Sequence, residues 1–372
     1  MSAGAARGFS YRQFLWANLW TRPVRSALTI TAIALQVFLV LFIVGLSSGV
    51  VREWGKRVEG VGADLFVQPP NASIFFAFSK AVMEETLADR LLELPDVAQV
   101  APVLVVNDTA GLSVIYGIDY ASFHRLSHGF EFLAGGPFQA ADEVLVDDIR
   151  ARASGLRVGD SISLLGQTFR IAGIVRHGKG ARYFLPLRTA QQLVGAQDHV
   201  SLIYIRSHGD TEATRAAIQA LLPGYTVRSV AEYMTLMNSE NLPELQPFIH
   251  SIVGLGVAVS FLVVLLTMHT LVLERTREIG ILKAMGSSKR SVVGLILSET
   301  LLLAALGSVL GLFGTYAVRA ILAQTNPTLT VLIDFPWILR SVLLAALGAT
   351  AGALYPAWRA AGFDPVDALA YE

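Results

Sequence analysis

The residues that first suggest chemistry are "GIVRHGKG", Gly173 to Gly180. They nearly match the phosphate loop G-x-x-x-x-G-K-[ST], in which backbone N–H groups and the lysine cradle phosphates and the last hydroxyl holds Mg²⁺. Gly180 occupies that last position, so the hydroxyl is missing. A strand pattern precedes the segment but no helix pattern follows it, and a glycine-rich turn is expected. His124 and His128 stand four apart in "HRLSH", a spacing that shares a helix face. Zinc binding there would call for H-E-x-x-H or a third nearby ligand. Neither is present, so a solvated helix end is expected and no metal site is assigned. The 372 residues include no cysteine, which excludes disulfides and thiolate metal sites. No G-x-S-x-G elbow or other nucleophile motif occurs. The chain is therefore not expected to be an enzyme, and no cofactor is expected on it.

Two other ionisable residues lie in apolar surroundings. His269 and Glu299 fall inside long uncharged stretches, where ionisable groups seek protein partners or line a path for protons or substrate. Their nearness to the ends of those stretches favours a polar contact between helices, one candidate pairing being the two with each other. The densest charge lies between them. "LERTREIGILKAMGSSKRS", Leu273 to Ser291, holds seven charged residues from Glu274 to Arg290. Within it Ile279, Leu282 and Met285 recur every third residue, which predicts a short amphipathic helix. Gly286 is a natural helix stop, and Ser287 or Ser288 can cap the next helix. Basic residues here suit lipid headgroups, but Glu274 and Glu278 gain nothing from anionic lipid. Mixed charges beside an apolar stripe suit docking into a groove of another protein.

The elements that position these residues follow from composition. The chain is 53% hydrophobic and 16% charged, against about 25% charged in ordinary soluble proteins. Net charge is zero, so nothing argues for a nucleic-acid partner. A membrane helix needs roughly 20 mostly apolar residues, and four stretches qualify: 26–51, 251–273, 291–320 and 335–358. The first has too long an apolar core for a signal peptide and no clear cleavage site follows, so an uncleaved anchor is expected. Arg7, Arg12, Arg22 and Arg25 precede the first span. Arg275, Arg277, Lys283, Lys289 and Arg290 lie between the second and third, and 321–334 has no Lys or Arg. The positive-inside rule then places the interfacial segment 1–25, the loop 274–290 and the tail 359–372 in the cytoplasm. Residues 52–250 become an extracytoplasmic domain and 321–334 a short outer loop. Patterning across 52–250 predicts an α+β domain with a β-rich subdomain around 142–175. Gly45 with Gly49, Gly307 with Gly311, and Gly348 with Gly352 are small-residue pairs suited to close helix packing, within or between subunits.

The segment "ERTREIGILKAMGSSKRSVVGLILSETLLLAALGSVLGLFG" closely resembles the permease region of the MacB/FtsX-like superfamily of ABC transporters. "YPAWRAAGFDPVDALAYE", "WTRPVRSALTITAIALQVFLV", "VGADLFVQPP" and "VGDSISLLGQTFRIAGIV" are similar to its terminal, first-span and outer-domain regions, so the resemblance spans nearly the whole chain. It implies a permease in the cell membrane that forms a homodimer or heterodimer, carries no nucleotide site and has no attached ATPase domain. A separate ABC ATP-binding subunit holding ATP and Mg would dock on the cytoplasmic loop as a coupling helix. Glu274, Arg275, Arg277, Glu278, Ile279 and Leu282 carry over by position as coupling residues, followed by Lys283 and Met285. The implied mechanism is mechanotransmission: closure of the ATPases drives the outer domains to export or extract an amphiphilic substrate, in some members with a periplasmic adaptor. The alternative is an FtsX-like regulator that uses the same motion to switch on a cell-wall hydrolase. Phe75, Phe76 and Phe78 in "SIFFAFSKAVM" lie just outside the first span and are expected to pack where the outer domain meets the membrane, the alternative being contact with a hydrophobic substrate or the outer leaflet.

Overall fold

The computed structural model describes residues 23–73, 79, 81–108, 113–237, 246–326 and 328–362. The chain divides into two compact units. A helical unit comprises residues 1–48, 243–322 and 331–372, and a mixed α/β unit comprises 49–242 and 323–330.

Among the described residues, four helices are long and apolar enough to cross a membrane. They are α1 (Pro23–Glu59), α8 (Gln246–Glu274), α10 (Lys289–Thr325) and α11 (Phe335–Gly362). Leu262, Leu266, Val309, Phe313, Leu343 and Leu347 are all about half or more exposed. A water-soluble bundle would hide such residues, whereas lipid chains accept them. The buried face of α11 is built instead from small side chains. Ala345, Ala349, Ala353 and Ala357 recur every fourth residue of α11 and are fully buried. That spacing lines up one helix face, and its small side chains let α11 lie close against α8.

The glycine pairs divide by what they meet. A Cβ on Gly307 would fall 2.8 Å from the Ile33 Cβ, and one on Gly311 would fall 2.5 Å from the Ala34 carbonyl oxygen, so α10 crosses α1 there at backbone distance. On Gly352 it would reach the Phe261 carbonyl of α8 at 2.8 Å, but on Gly348 it would find ordinary contact at 3.7 Å. Gly45 meets an extended segment rather than a helix. It lies against Leu332, whose N–H donates to the Gly45 carbonyl at 2.9 Å. Gly49 is buried on α1.

The α/β unit is organised on one ten-stranded sheet. In chain order its strands and helices are β1 (Leu65–Gln68), β2 (Met83–Glu84), α2 (Leu87–Leu92), β3 (Val97–Asp108), β4 (Ser113–Ile118), α3 (Tyr120–Leu126), β5 (Phe132–Gly135) and β6 (Glu143–Asp147). There follow α4 (Asp148–Ser154), β7 (Ser161–Leu164), β8 (Gln167–Val175), β9 (Tyr183–Pro186), α5 (Leu187–Val194), β10 (His199–Val200), β11 (Leu202–Ser207), α6 (Thr211–Leu221), β12 (Thr226–Ser229) and α7 (Val230–Leu236). The sheet order is β12-β1-β11-β3-β4-β9-β6-β8-β5, with β7 paired to β8; β2 and β10 form a separate pair. Among the described residues, only β4 with β9 and β6 with β8 run parallel. The β-rich segment around 142–175 therefore continues the same sheet, because β9 returns from it to pair with both β4 and β6. Local chemistry starts the helices. Asp119, Asp147, Asp210 and Ser229 each accept a backbone N–H of the first turn that follows them, the usual role of short polar N-caps.

The end of α1 enters this unit's core. Trp54 is buried and its Nε1 donates to the Tyr233 hydroxyl at 2.9 Å. Tyr233 stands edge-on to Phe66, and the Tyr116 and Tyr204 hydroxyls meet at 3.1 Å. Pairing these hydroxyls removes the penalty of burying an unmade hydrogen bond.

Two predictions follow from this packing. Burial pushes the Tyr116 phenol up to about 12 and also raises those of Tyr204 and Tyr233. Because these folded values lie above the ordinary value of about 10, their contribution to stability is complete below about pH 10 and is lost as pH rises above it, through about 12 for Tyr116 and higher for the other two. Absorbance at 295 nm with circular dichroism should show the three ionising only as the unit unfolds; ionisation of every tyrosine near pH 10 with unchanged dichroism would contradict this. In the bundle, Gly311→Ala should lower stability in detergent by about 1–3 kcal/mol through overpacking, whereas Gly348→Ala should leave the melting temperature near its original value.

Candidate functional site

The charged segment forms a corner of three helices in the helical unit. Helix α8 ends at Glu274, and Arg275 breaks the run at φ −107° and ψ 15°. Helix α9, Thr276–Ala284, follows. Gly286 adopts φ 93°, its N–H donates to the Lys283 carbonyl at 2.9 Å, and the Ser287 N–H donates to the Leu282 carbonyl at 3.0 Å. This left-handed closure satisfies the last carbonyls of α9, and glycine adopts it without Cβ strain. The Ser288 hydroxyl then accepts the Ser291 N–H at 3.2 Å and caps α10.

The face of α9 towards the bundle is locked. Ile279 is buried in the apolar core with Leu271, Val272, Val292 and Ile296. Arg275 reaches Glu299 of α10 at 3.3 Å, and both side chains are nearly buried, at 11% and 6% exposed. The Arg275 Nε also lies 3.8 Å from Glu278. A small cavity of about 30 Å³ adjoins the pair, lined in part by Leu295, Ile296 and Leu282. Lys283 Nζ donates to the Ala361 carbonyl at the end of α11, at 3.1 Å, where a cation also meets the negative end of the helix dipole.

The outer face presents a different set. Glu274, Arg277 and Glu278 are exposed, as are Ile281 and Met285, the latter at 71%. The three-residue stripe thus divides: Ile279 anchors, Leu282 is half-buried and Met285 faces out. Ile281 joins the open face although its position lies off that stripe. Glu299 makes a polar contact between helices, with Arg275 at the start of α9. His269 is half-buried on α8, and its Nδ1 is buried with no hydrogen-bond partner.

The other sequence candidates take structural places. His177 donates its backbone N–H to Asp148 Oδ1 and brings Nδ1 to the same oxygen, each at 2.9 Å, while Lys179 donates to the Ser127 carbonyl. The Gly173–Gly180 segment therefore spends its lysine and several backbone N–H groups within the fold. His128 lies 3.3 Å from Arg206, and His124 packs beside Tyr120. Among the described residues no three His, Cys, Asp or Glu side chains gather as a metal site. Phe75, Phe76 and Phe78 lie outside the described residues.

Four apolar helices, a large mixed domain between the first two and a pinned charged helix between the second and third define an ABC-type permease. The MacB-like periplasmic core domain model matches residues 26–221, more than half of the chain, and the FtsX-like permease C-terminal model matches 251–365. The chain belongs to the MacB/FtsX-like family of ABC transporter permeases. A macrolide export ATP-binding/permease protein MacB from Nitrobacter winogradskyi is 24% identical over 387 residues, covering 95% of this chain. A pyoverdine export ATP-binding/permease protein PvdT from Pseudomonas syringae pv. tomato is 27% identical over 403 residues, covering 97% of it. The chain spans 59% of the length of each of these relatives. The periplasmic region of MacB from Actinobacillus actinomycetemcomitans aligns with 50% of this chain and 96% of its own, at 13% identity and a TM-score of 0.39.

The ion pair has a measurable signature. Removing one member of a buried pair typically costs about 3–5 kcal/mol, because the other charge is left uncompensated. Glu299→Gln and Arg275→Gln should each strongly destabilise the corner, and the double variant should cost less than the sum of the two. Additive losses, read by thermal unfolding in detergent, would show that the pair does not hold the corner.

Proposed function

We propose that this chain is the transmembrane subunit of an ABC exporter and that α9 receives the stroke of a separate ATP-binding subunit. ATP and Mg would bind on that partner. The observation that carries the reading is the two-sided character of α9. One face is held by Ile279, the Arg275–Glu299 pair and the Lys283 bond, and the other offers Arg277, Glu278, Ile281 and Met285 to a partner. A helix gripped on one side passes on displacement, whereas a loosely tethered one absorbs it. Its mixed charges and apolar tips suit docking in a groove. The mixed domain would face the outside, both termini and α9 would face the cytoplasm, and two permease subunits would assemble. The cargo would be an amphiphile, a reading supported by relatives named for macrolide and pyoverdine export, driven by motion of the outer domain and passed on with an adaptor.

Co-purification with the candidate ATP-binding subunit tests this. The permease should bind it and raise ATP hydrolysis several-fold. The triple variant Glu274→Lys, Arg277→Glu, Glu278→Lys should abolish both effects, while circular dichroism and melting stay unchanged because these side chains are exposed. An intact, fully stimulated complex with the reversed charges would refute the assignment. The chain contains no cysteine, so single cysteines at Met285 and Gln167 report sidedness in sealed vesicles. The impermeant reagent should label the two from opposite sides, and labelling from the same side would overturn the topology.

A further inference from the structure

The segment that imitates a phosphate loop closes on the emerging end of α1. The Gly180 N–H donates to the Arg57 carbonyl at 2.8 Å. The Gly178 carbonyl comes so near Gly60 that a Cβ there would lie 2.0 Å from it. Gly178 and Gly180 both take positive φ, at 108° and 87°, which only glycine adopts without strain. A side chain at Gly180 would also meet the Tyr116 ring at 2.3 Å. Two residues further on, the Arg182 guanidinium forks. One arm donates to Asp147 Oδ2 at the end of β6, at 3.0 Å, and the other pairs with Glu53 Oε1 on α1. The second Glu53 oxygen accepts from the Thr330 hydroxyl at 3.0 Å. Arg57 lies over the Trp54 ring at 5.0 Å and approaches Glu53 at 4.0 Å.

These groups are largely out of water: Arg182 is 12% exposed, Asp147 1%, Arg57 14% and Glu53 23%. Burial raises the Asp147 carboxyl above its usual range, with Arg182 pulling it back. Such an arrangement is costly. Apolar residues of similar volume are often at least as stabilising as a buried ion pair, so simple cohesion does not account for it. What it adds is direction. A planar arginine fork fixes two carboxylates at once, which neither an apolar contact nor a lysine can do. Three stretches far apart in sequence meet at this fork: α1, the β6–β9 region, and residues 323–330, which belong to the same compact unit.

We propose that Glu53, Arg182, Asp147 and Thr330 form a clamp that makes the end of α1, the 323–330 segment and the sheet move as one body during the transport cycle. They act as positioning residues, since they touch neither nucleotide nor cargo. The cycle in this statement rests on the exporter reading; the clamp itself does not.

Spin labels on Asn326→Cys and Gln167→Cys, both exposed positions in this cysteine-free chain, measure the proposal. The permease would be reconstituted with its ATP-binding subunit in liposomes and measured without nucleotide and with ATP plus vanadate. The distance distribution should be narrow and the same in both states. In Glu53→Gln and in the milder Thr330→Val it should broaden, and a nucleotide-dependent shift should appear, while stimulation of ATP hydrolysis persists because α9 is untouched. Arg182→Lys, which keeps the charge but loses the fork, should behave like Glu53→Gln. A narrow, nucleotide-independent distribution in all three variants would overturn the clamp, as would, where ATP hydrolysis is stimulated, equal broadening with and without nucleotide. Absence of stimulated hydrolysis in the unmodified protein would instead count against the exporter reading, and the nucleotide-free distances would still decide whether the clamp exists.

Discussion

Where nearly buried charges in this chain meet opposite charges, they tie together elements that lie far apart in sequence. Arg275 and Glu299 meet at the corner between α8, α9 and α10. Glu53, Arg182 and Asp147 meet where α1 enters the α/β unit. An unpaired charge at either place would carry a desolvation cost of several kcal/mol, so each partner constrains the other's backbone. Apolar burial has no such directionality. It would hold the helices together without specifying at which residue they must touch.

The bundle relies on a complementary device. Between helices surrounded by lipid, apolar burial gives little preference for one packing over another, because the tails are as apolar as leucine. Close approach through Gly307, Gly311 and Gly352 and the alanine row of α11 supplies the selectivity instead. Several large side chains, among them Leu266, Phe313 and Leu347, face outward instead. Charged groups that grip and small groups that slide close together produce helices that stay in register over many turns. That stiffness is what a subunit receiving force on one short helix would require.

The spans, the capped corner at Gly286 and Ser288 and the mixed nature of the outer domain were all legible in the sequence, since each depends on residues near one another in the chain. Sheet continuity was not. The strands around 142–175 look self-contained by pattern, and only the parallel return of β9 to β4 ties them to the rest. The charged segment between the second and third long helices was half legible. Its helix and charge were apparent, but a three-residue apolar rhythm could not say that Ile279 turns inward while Ile281 and Met285 turn outward. Glu299 stood out as an ionisable residue in an apolar run, yet its partner 24 positions away was hidden among several basic residues.

By itself the sequence determined where the chain is greasy, where it is charged, where helices must stop, and which family it resembles, because local composition and spacing govern solvation and capping. The tertiary structure alone decided which charges pair: Arg275 with Glu299, and Glu53 with Arg182 across 129 positions. Pairing depends on which distant segments are brought within a few ångströms of each other, and burial turns that nearness into a constraint. For the same reason, the glycine-rich turn that only approximates a phosphate loop is seen to lie against the end of α1, its Gly180 N–H on the Arg57 carbonyl.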